Sequence, residues 1–280
     1  MKKYNVLKAL NNNVVIAVNE EHEEVVLIGK GIGFNKKRND VIEEDTVEKL
    51  FVLRDKKEQE SYIKLLPNMD ETTLAAIITA MEIIKKKSNA LLNEKVHVAL
   101  TDHILFAISR LQRGLEIRNP FLSETKALYP LEYEIAAEVV DYMNQTLAIQ
   151  LPEGEVGFIA LHVHSAITET TISEISSYSN LLSTLVETIE EQLHIEIDRE
   201  EIDYIRLIRH LRYTIERVLK EEVMEEPAKI AILLKKEYPV CYNLAWKLIK
   251  IMQQTLKKPV YDAEAVYLTM HLQRLVVKFD

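Results

Sequence analysis

The hydrophobic pattern of this chain changes its period once. From Tyr4 to Leu53 the apolar residues come in short runs: Tyr4–Leu10, Val14–Val18, Glu24–Ile28 and Lys49–Leu53. Runs of this length, rich in Val and Ile and bounded by polar clusters, predict strands. Asn19–Glu23 reads as the turn joining the second strand to the third. Beyond Pro67-Asn68 the period becomes 3.6 and stays there. Asp70 is placed to cap a helix reaching about Lys87. Asn93 is placed to cap a second, through Ile104, Ala107 and Leu111 to a stop at Gly114. Helices follow near 132–148 and 153–167, the latter with Pro152 in its first turn. Ser173 opens another to about Leu193. Asp198 to Glu201 has capping-box spacing, Pro227 fits a helix start and Asp262 caps the final helix. The expected architecture is multidomain. A small all-β domain (1–57) and a polar connector (58–68) precede two tandem all-α helical-bundle domains (69–171 and 172–280).

The two helical stretches repeat each other. His103 is followed by Phe106 and Arg110, and His210 by Tyr213 and Arg217, at the same offsets. Tyr129-Pro130 matches Tyr238-Pro239, and Glu155, Phe158 and His162 match Glu264, Tyr267 and His271. The repeat distance of 107 to 109 residues is too long for a solenoid and marks a tandem duplication of a whole domain.

Composition narrows the class. The chain has 280 residues, 48% hydrophobic, with 6 Gly and 7 Pro, which suits a helical globular protein. No run approaches the roughly 18 apolar residues of a membrane span, so no membrane insertion is expected. Met1–Asn5 lacks the apolar core of a signal peptide. The single cysteine, Cys241, leaves no internal disulfide, and a cytoplasmic location follows as the default. The net charge of −9 argues at first sight against a nucleic-acid partner, but its distribution does not. Residues 1–57 hold 11 Lys+Arg against 10 Asp+Glu, and Lys36-Lys37-Arg38 form a local basic cluster. A phosphate backbone feels that local field.

Three of the six glycines fall between positions 29 and 33, in Gly29-Lys30-Gly31-Ile32-Gly33-Phe34, and Asn11-Asn12-Asn13 precedes the second strand. Glycines between strands allow close approach to the backbone. An aromatic ring beside cations suits looped or single-stranded RNA, whose bases stack and whose phosphates meet Lys and Arg. The plainer alternative is a tight hairpin with a solvated charged loop. A dinucleotide-binding loop fits worse, because Phe34 stands where a third glycine belongs and no helix opens behind it. An all-β module this small buries a thin core, and a homodimer would double the sheet.

His103, His162, His210 and His271 sit at matched positions, each beside apolar residues of a helix. A lone histidine of this kind is usually a satisfied core residue; two per half, in register, ask for more. Arg110 and Arg217 share the helical faces of His103 and His210, tied to a helix terminus or a carboxylate, or set to balance a dianionic modification. Metal binding is disfavoured by Arg209 beside His210. Catalysis is disfavoured because Glu155 and Glu264 repeat without a repeated Ser, Cys or Asp. No enzyme, metal or cofactor is therefore expected. Reversible phosphorylation needs only an accessible imidazole nitrogen and nearby donors.

In these residues the chain resembles the BglG/SacY family of bacterial transcriptional antiterminators. Asn-Asn-Asn, Gly-Lys-Gly-Ile-Gly-Phe, Leu-Thr-Asp-His (100–103) and Gly-Phe-Ile-Ala-Leu-His (157–162) carry the resemblance over the whole chain. Leu27 to Phe34 and Tyr-Asn-Leu-Ala-Trp-Lys-Leu-Ile-Lys (242–250) are similar to the glucose-type branch. The resemblance implies a dimeric RNA-binding domain, with Asn11, Asn13, Gly29, Lys30, Gly31 and Phe34 on the RNA surface. It also implies two phosphotransferase-system regulation domains, with His103, His162, His210 and His271 as phospho-acceptors. The implied target is a leader mRNA hairpin that overlaps a terminator. The implied partners are a glucose-type sugar permease as phosphoryl donor and the general histidine-containing carrier protein. His164 adds a histidine where the second half has Gln273 and is treated as secondary. A DNA-binding activator carrying the same regulation domains is the alternative, disfavoured by an N-terminus that reads as strands. A metal-dependent enzyme using the four histidines is a further one.

Overall fold

A computed structural model describes the chain except for residues 1, 48, 53–55, 66–68, 90–93, 116–117, 169, 223–227 and 280. Its strands are β1 (Lys3–Asn11), β2 (Val14–Val18), β3 (Glu24–Ile28), β4 (Val41–Glu43) and β5 (Lys49–Val52). The helices begin with α1 (Lys56–Leu65), α2 (Glu71–Ser88), α3 (Glu94–Gln112), α4 (Leu122–Leu128), α5 (Pro130–Leu147) and α6 (Glu153–Thr168). Then come α7 (Ile172–Leu193), α8 (Ile202–Lys220), α9 (Ala228–Glu237), α10 (Pro239–Leu256) and α11 (Ala263–Phe279). The chain divides into two compact units: Met1–Ile117 with Glu134–Glu169, and Arg118–Tyr133 with Thr170–Asp280.

In the first unit the strands form one antiparallel sheet in the order β4-β1-β2-β3-β5. The alternating residues Tyr4, Val6, Val15, Ala17, Val25 and Leu27 build its core together with Ile32 and Ile42. The opposite side chains of the two central strands, Val14, Ile16, Val26 and Ile28, are buried as well. Strands buried on both faces read as continuous apolar runs, which is why β2 and β3 stand out in the sequence. Two register shifts interrupt the pairing of β1 with β2, between Val6 and Lys8 and between Ala9 and Asn11. They give the end of β1 the extra twist of a bulge just before the asparagine turn. Helices α2, α3 and α6 pack on one another, and α1 packs on α3.

In the second unit α10 lies against α11, α7 and α9, and α8 packs on α7 and α11. The short α4 packs on α7 and α8 of this unit, with Glu124 and Leu128 buried.

Several helix boundaries follow the capping signals. The Asp70 side chain accepts from the Thr73 amide at 2.8 Å, and Asn89 ends α2 in the left-handed region. Gly114, with φ +69°, follows α3 as anticipated. Other boundaries differ. Helix α7 starts one residue earlier than Ser173, because Thr171 and Glu174 form a reciprocal capping box. Asp198 does not cap α8; it accepts from the Glu200 amide in a preceding turn, and the helix begins at Ile202. The connector expected over 58–68 is helical through Leu65, since α1 spans most of it. Strand β4 and helices α4 and α10 were not anticipated. Asn93, Pro227 and Leu53 lie outside the described residues.

Candidate functional site

The asparagine turn and the glycine run meet at the ends of β1, β2 and β3. The Asn11 Oδ1 accepts from the Asn13 amide at 2.9 Å, and the Asn13 Oδ1 accepts from the Gly31 amide at 2.6 Å. The Gly29 amide donates to the Asn13 carbonyl and the Gly33 amide to the Asn12 carbonyl. Both asparagine oxygens are thus spent inside the loop, and the carboxamide NH2 groups are the donors left to offer a ligand. The two later glycines do different work. A Cβ on Gly33 would stand 2.1 Å from the Asn11 carbonyl oxygen, so the closest visitor to this glycine is the protein's own turn. Gly31, at φ +72° with open space beside its Cα, is the backbone that remains approachable. Gly29 is buried, whereas Lys30 and Gly31 are exposed.

The loop pushes Phe34 outward. Its amide donates to the Gly31 carbonyl, and its side chain is 62% exposed. A large exposed ring close in sequence to exposed Lys37 and Arg38 is apt for stacking. Lys36 is turned back, its Nζ donating to the Val41 carbonyl at 3.1 Å. The six residues expected on the RNA surface therefore fall into two groups. Asn11, Asn13 and Gly29 build the loop, while Lys30, Gly31 and Phe34 face out of it.

The four histidines come together in pairs, one pair in each unit. His103 on α3 and His162 on α6 lie with ring centroids 5.0 Å apart. His210 on α8 and His271 on α11 stack at 3.9 Å with an interplanar angle of 29°. Burial, and then the neighbouring His103, pushes His162 down to about 3. Burial, His271 and Arg217 push His210 down to about 3 as well. His271 is lowered by burial and by Arg274. Histidines so lowered are neutral near pH 7 and keep a nucleophilic lone pair.

Each pair has a carboxylate and a guanidinium beside it, and here the Arg110 and Arg217 alternatives resolve in favour of the carboxylate. Arg110 Nη2 donates to Glu155 Oε1 at 2.6 Å, and Glu155 Oε2 lies 2.9 Å from His103 Nε2. In the second half Arg217 takes Glu264 with both Nε and Nη2, at 2.8 and 2.7 Å. The hydroxyl of Thr214, a residue that sequence reasoning passed over, donates to Glu264 Oε2 at 3.1 Å. Its equivalent in the first half is Ala107, which has no donor. Two buried nitrogens consequently lack a hydrogen-bond partner among the described residues, Arg110 Nε and His210 Nε2. Each is the atom that the other half pairs. The third histidine, His164, is on α6 but outside both ring pairs. No helix among the described residues is long and apolar enough to cross a membrane.

Comparison with known proteins places these parts. The description "PRD domain" matches residues 79–166 and 183–275, and "CAT RNA binding domain" matches residues 4–60. The PtsGHI operon antiterminator of Bacillus subtilis (strain 168) is 55% identical over 277 residues, covering 99% of this chain and 99% of that protein. The GlcA/glcB genes antiterminator of Staphylococcus carnosus (strain TM300) is 42% identical over 274 residues, covering 97% of this chain and 96% of that protein. Among solved structures, the crystal structure of GlcT CAT-PRDI is 53% identical with a TM-score of 0.54. It covers 59% of this chain and 99% of that one.

Proposed function

The chain belongs to the glucose-type antiterminators of the BglG/SacY family, which join a CAT RNA-binding domain to PRD domains, and on that premise we propose how it works. Two copies of the β domain clamp one imperfect hairpin in a nascent leader mRNA. That hairpin overlaps a terminator, so binding it keeps the terminator from folding. The transcript is that of a glucose permease operon, the protein works in the cytoplasm, and it carries no catalytic activity of its own.

The observation that carries this reading is the exposed Phe34 ring held beside the locked Asn13–Gly31 loop. Each stacked base is worth about 1–3 kcal/mol. Lys30, Lys37 and Arg38 add the phosphate contacts. Two modules on one RNA gain from effective concentration, so anything that separates them weakens binding without touching the surface itself.

Control comes through the histidines. In the absence of sugar the permease phosphorylates His103 or His162, and the histidine-containing carrier protein acts on His210 and His271. A dianionic group at His103 arrives beside Glu155, a carboxylate whose side chain is only 4% exposed. Arg110 is already committed to that carboxylate and cannot balance the new charge, which forces a rearrangement around the His103–His162 ring pair. In this reading the rearrangement breaks a symmetric dimer contact and frees one β module.

The test is an RNA titration of the full-length protein with a leader-derived hairpin, with Phe34→Ala as the comparison. Loss of roughly tenfold or more in affinity with an unchanged melting temperature is expected. Equal affinity for the variant, or no hairpin binding by the wild type, would remove the reading.

A further inference from the structure

The two halves share an Arg–Glu pair but divide it differently, and the difference falls on one atom of one histidine. We infer that Glu155 is the positioning residue of the first half: it takes the Nε2 proton of His103 and so leaves Nδ1 as the atom that accepts a phosphoryl group. Ala107, in place of the threonine found in the second half, is what allows it. This rests on His103 being a phosphoryl acceptor, as proposed above.

An ionised carboxylate only accepts hydrogen bonds. With Arg110 Nη2 at 2.6 Å from Oε1, Glu155 is ion-paired, and its remaining oxygen faces His103 Nε2 at 2.9 Å. The nitrogen facing it therefore carries the proton, and in the neutral ring the lone pair sits on Nδ1. A phosphoryl group on Nε2 would have to enter the 2.9 Å gap against a buried carboxylate. On Nδ1 it leaves that bond in place, and the bond becomes charge-assisted as the ring turns cationic.

The second half supplies the internal comparison. Glu264 Oε1 accepts from Arg217 Nε, and Oε2 accepts from Arg217 Nη2 and from the Thr214 hydroxyl. No oxygen turns to His210, whose Nε2 is buried with no partner among the described residues. The Thr214 hydroxyl thus occupies the oxygen that Glu155 spends on His103. At Ala107 there is room for the same hydroxyl, since a cavity of about 440 Å³ opens beside Ala107, Arg110 and Glu155.

The step balances without a further reactant. The Nδ1 lone pair attacks phosphorus and an N–P bond forms. The donor's P–N or P–S bond breaks, and its electron pair leaves on the donor's nitrogen or sulfur. His103 becomes a phosphoimidazolium that keeps its Nε2 proton against Glu155.

Two measurements on the full-length protein test this. The first is 15N NMR of histidine-labelled protein, which reads the tautomer before any phosphorylation. His103 is expected as the Nε2–H form, and in Ala107→Thr, which keeps the Arg110–Glu155 pair, that form gives way to a mixture. The second uses phosphoramidate as the phosphoryl donor, ammonia leaving with the electron pair, and assigns the phosphohistidine isomer at each site. The Nδ1 isomer is expected at His103 in the wild type, and its predominance is lost in Ala107→Thr and in Glu155→Gln. An Nδ1–H tautomer, an Nε2-phosphoryl group in the wild type, or a tautomer indifferent to Ala107→Thr overturns the inference. If the Nε2–H tautomer is found but His103 stays unlabelled while other histidines react, the acceptor reading falls and Glu155 remains a positioning group for an unmodified ring.

Discussion

Arg217 grips Glu264 with two hydrogen bonds, Nε to Oε1 at 2.8 Å and Nη2 to Oε2 at 2.7 Å, and this fork ties α8 to the first turn of α11. Glu264 is only 3% exposed at its side chain, and that guanidinium is its ion-pair partner. Removing Arg217 leaves a buried carboxylate supported by the Thr214 hydroxyl alone. Arg217→Ala is expected to cost about 3 kcal/mol, read as a lower denaturation midpoint of the second half. A midpoint within experimental scatter of the wild type would mean that the fork contributes no net stability.

Acid should destabilise the protein in a defined window. His162 and His210 are each held at about 3, against an ordinary value of 6.5. When the chain unfolds they regain the ordinary value and bind protons that the folded state refuses. Stability is therefore full above about pH 6.5 and declines as the pH falls toward 3. For the nearly buried His162 the loss by pH 5 is at most about 2 kcal/mol, and for the more exposed His210 it is less. Melting curves between pH 7 and 5 should show the decline, and His162→Gln should flatten it. A slope untouched by that substitution would assign the acid sensitivity to other groups.

Gly33 admits no side chain, because the Asn11 carbonyl occupies the position of its Cβ at 2.1 Å. Gly33→Ala must push the glycine loop off the asparagine turn and break the bond from the Gly33 amide to the Asn12 carbonyl. A cost of roughly 2–4 kcal/mol to the sheet and loss of hairpin binding are expected together. Asn13→Ala should separate the two effects. It removes one hydrogen bond, about 1 kcal/mol of stability, yet releases Gly31 from its place and weakens RNA binding more than folding. Equal losses in both readouts would argue that Asn13 serves the fold alone.

His103→Asp places a permanent negative charge beside Glu155 and imitates the phosphorylated state. RNA affinity should fall by roughly a hundredfold, the scale of a lost bivalent gain, with the β domain still folded. The proposed dimer predicts that sedimentation of the same variant shows weaker self-association than the wild type. Wild-type affinity in a variant that remains folded would count against control through this histidine.

The sequence and the structure agree most closely where periodicity is strong. Strands β2 and β3 have the limits that their apolar runs announce, and the duplication singles out the four histidines that the structure brings together in pairs. Short elements were harder to read. Strand β4 buries only Ile42, and α4 has seven residues, too few to display a helical period. Helix α1 is so rich in Lys, Glu and Gln that its pattern resembles a connector. In the site, repetition exposed Arg110, Arg217, Glu155 and Glu264 but not Thr214. Thr214 is invisible to that method because its meaning lies in a difference: it matters through what Ala107 lacks. Gly33 was legible as a demand for close approach, although the visitor turned out to be the Asn11 carbonyl rather than a ligand.

The loop proposed to face RNA is assembled from neighbours along the chain. Val14 pairs with Ile28, and the Asn12, Asn13, Gly31 and Gly33 bonds all close within residues 11–34. Hairpins of this kind form in about 1–10 μs. The ribosome, adding about 5–20 residues per second, needs roughly 3–14 s to travel from Phe34 to His103. During synthesis the contacts of this loop can therefore form before the first of the paired histidines has been made, and the proposed control is a later addition to a surface already able to fold.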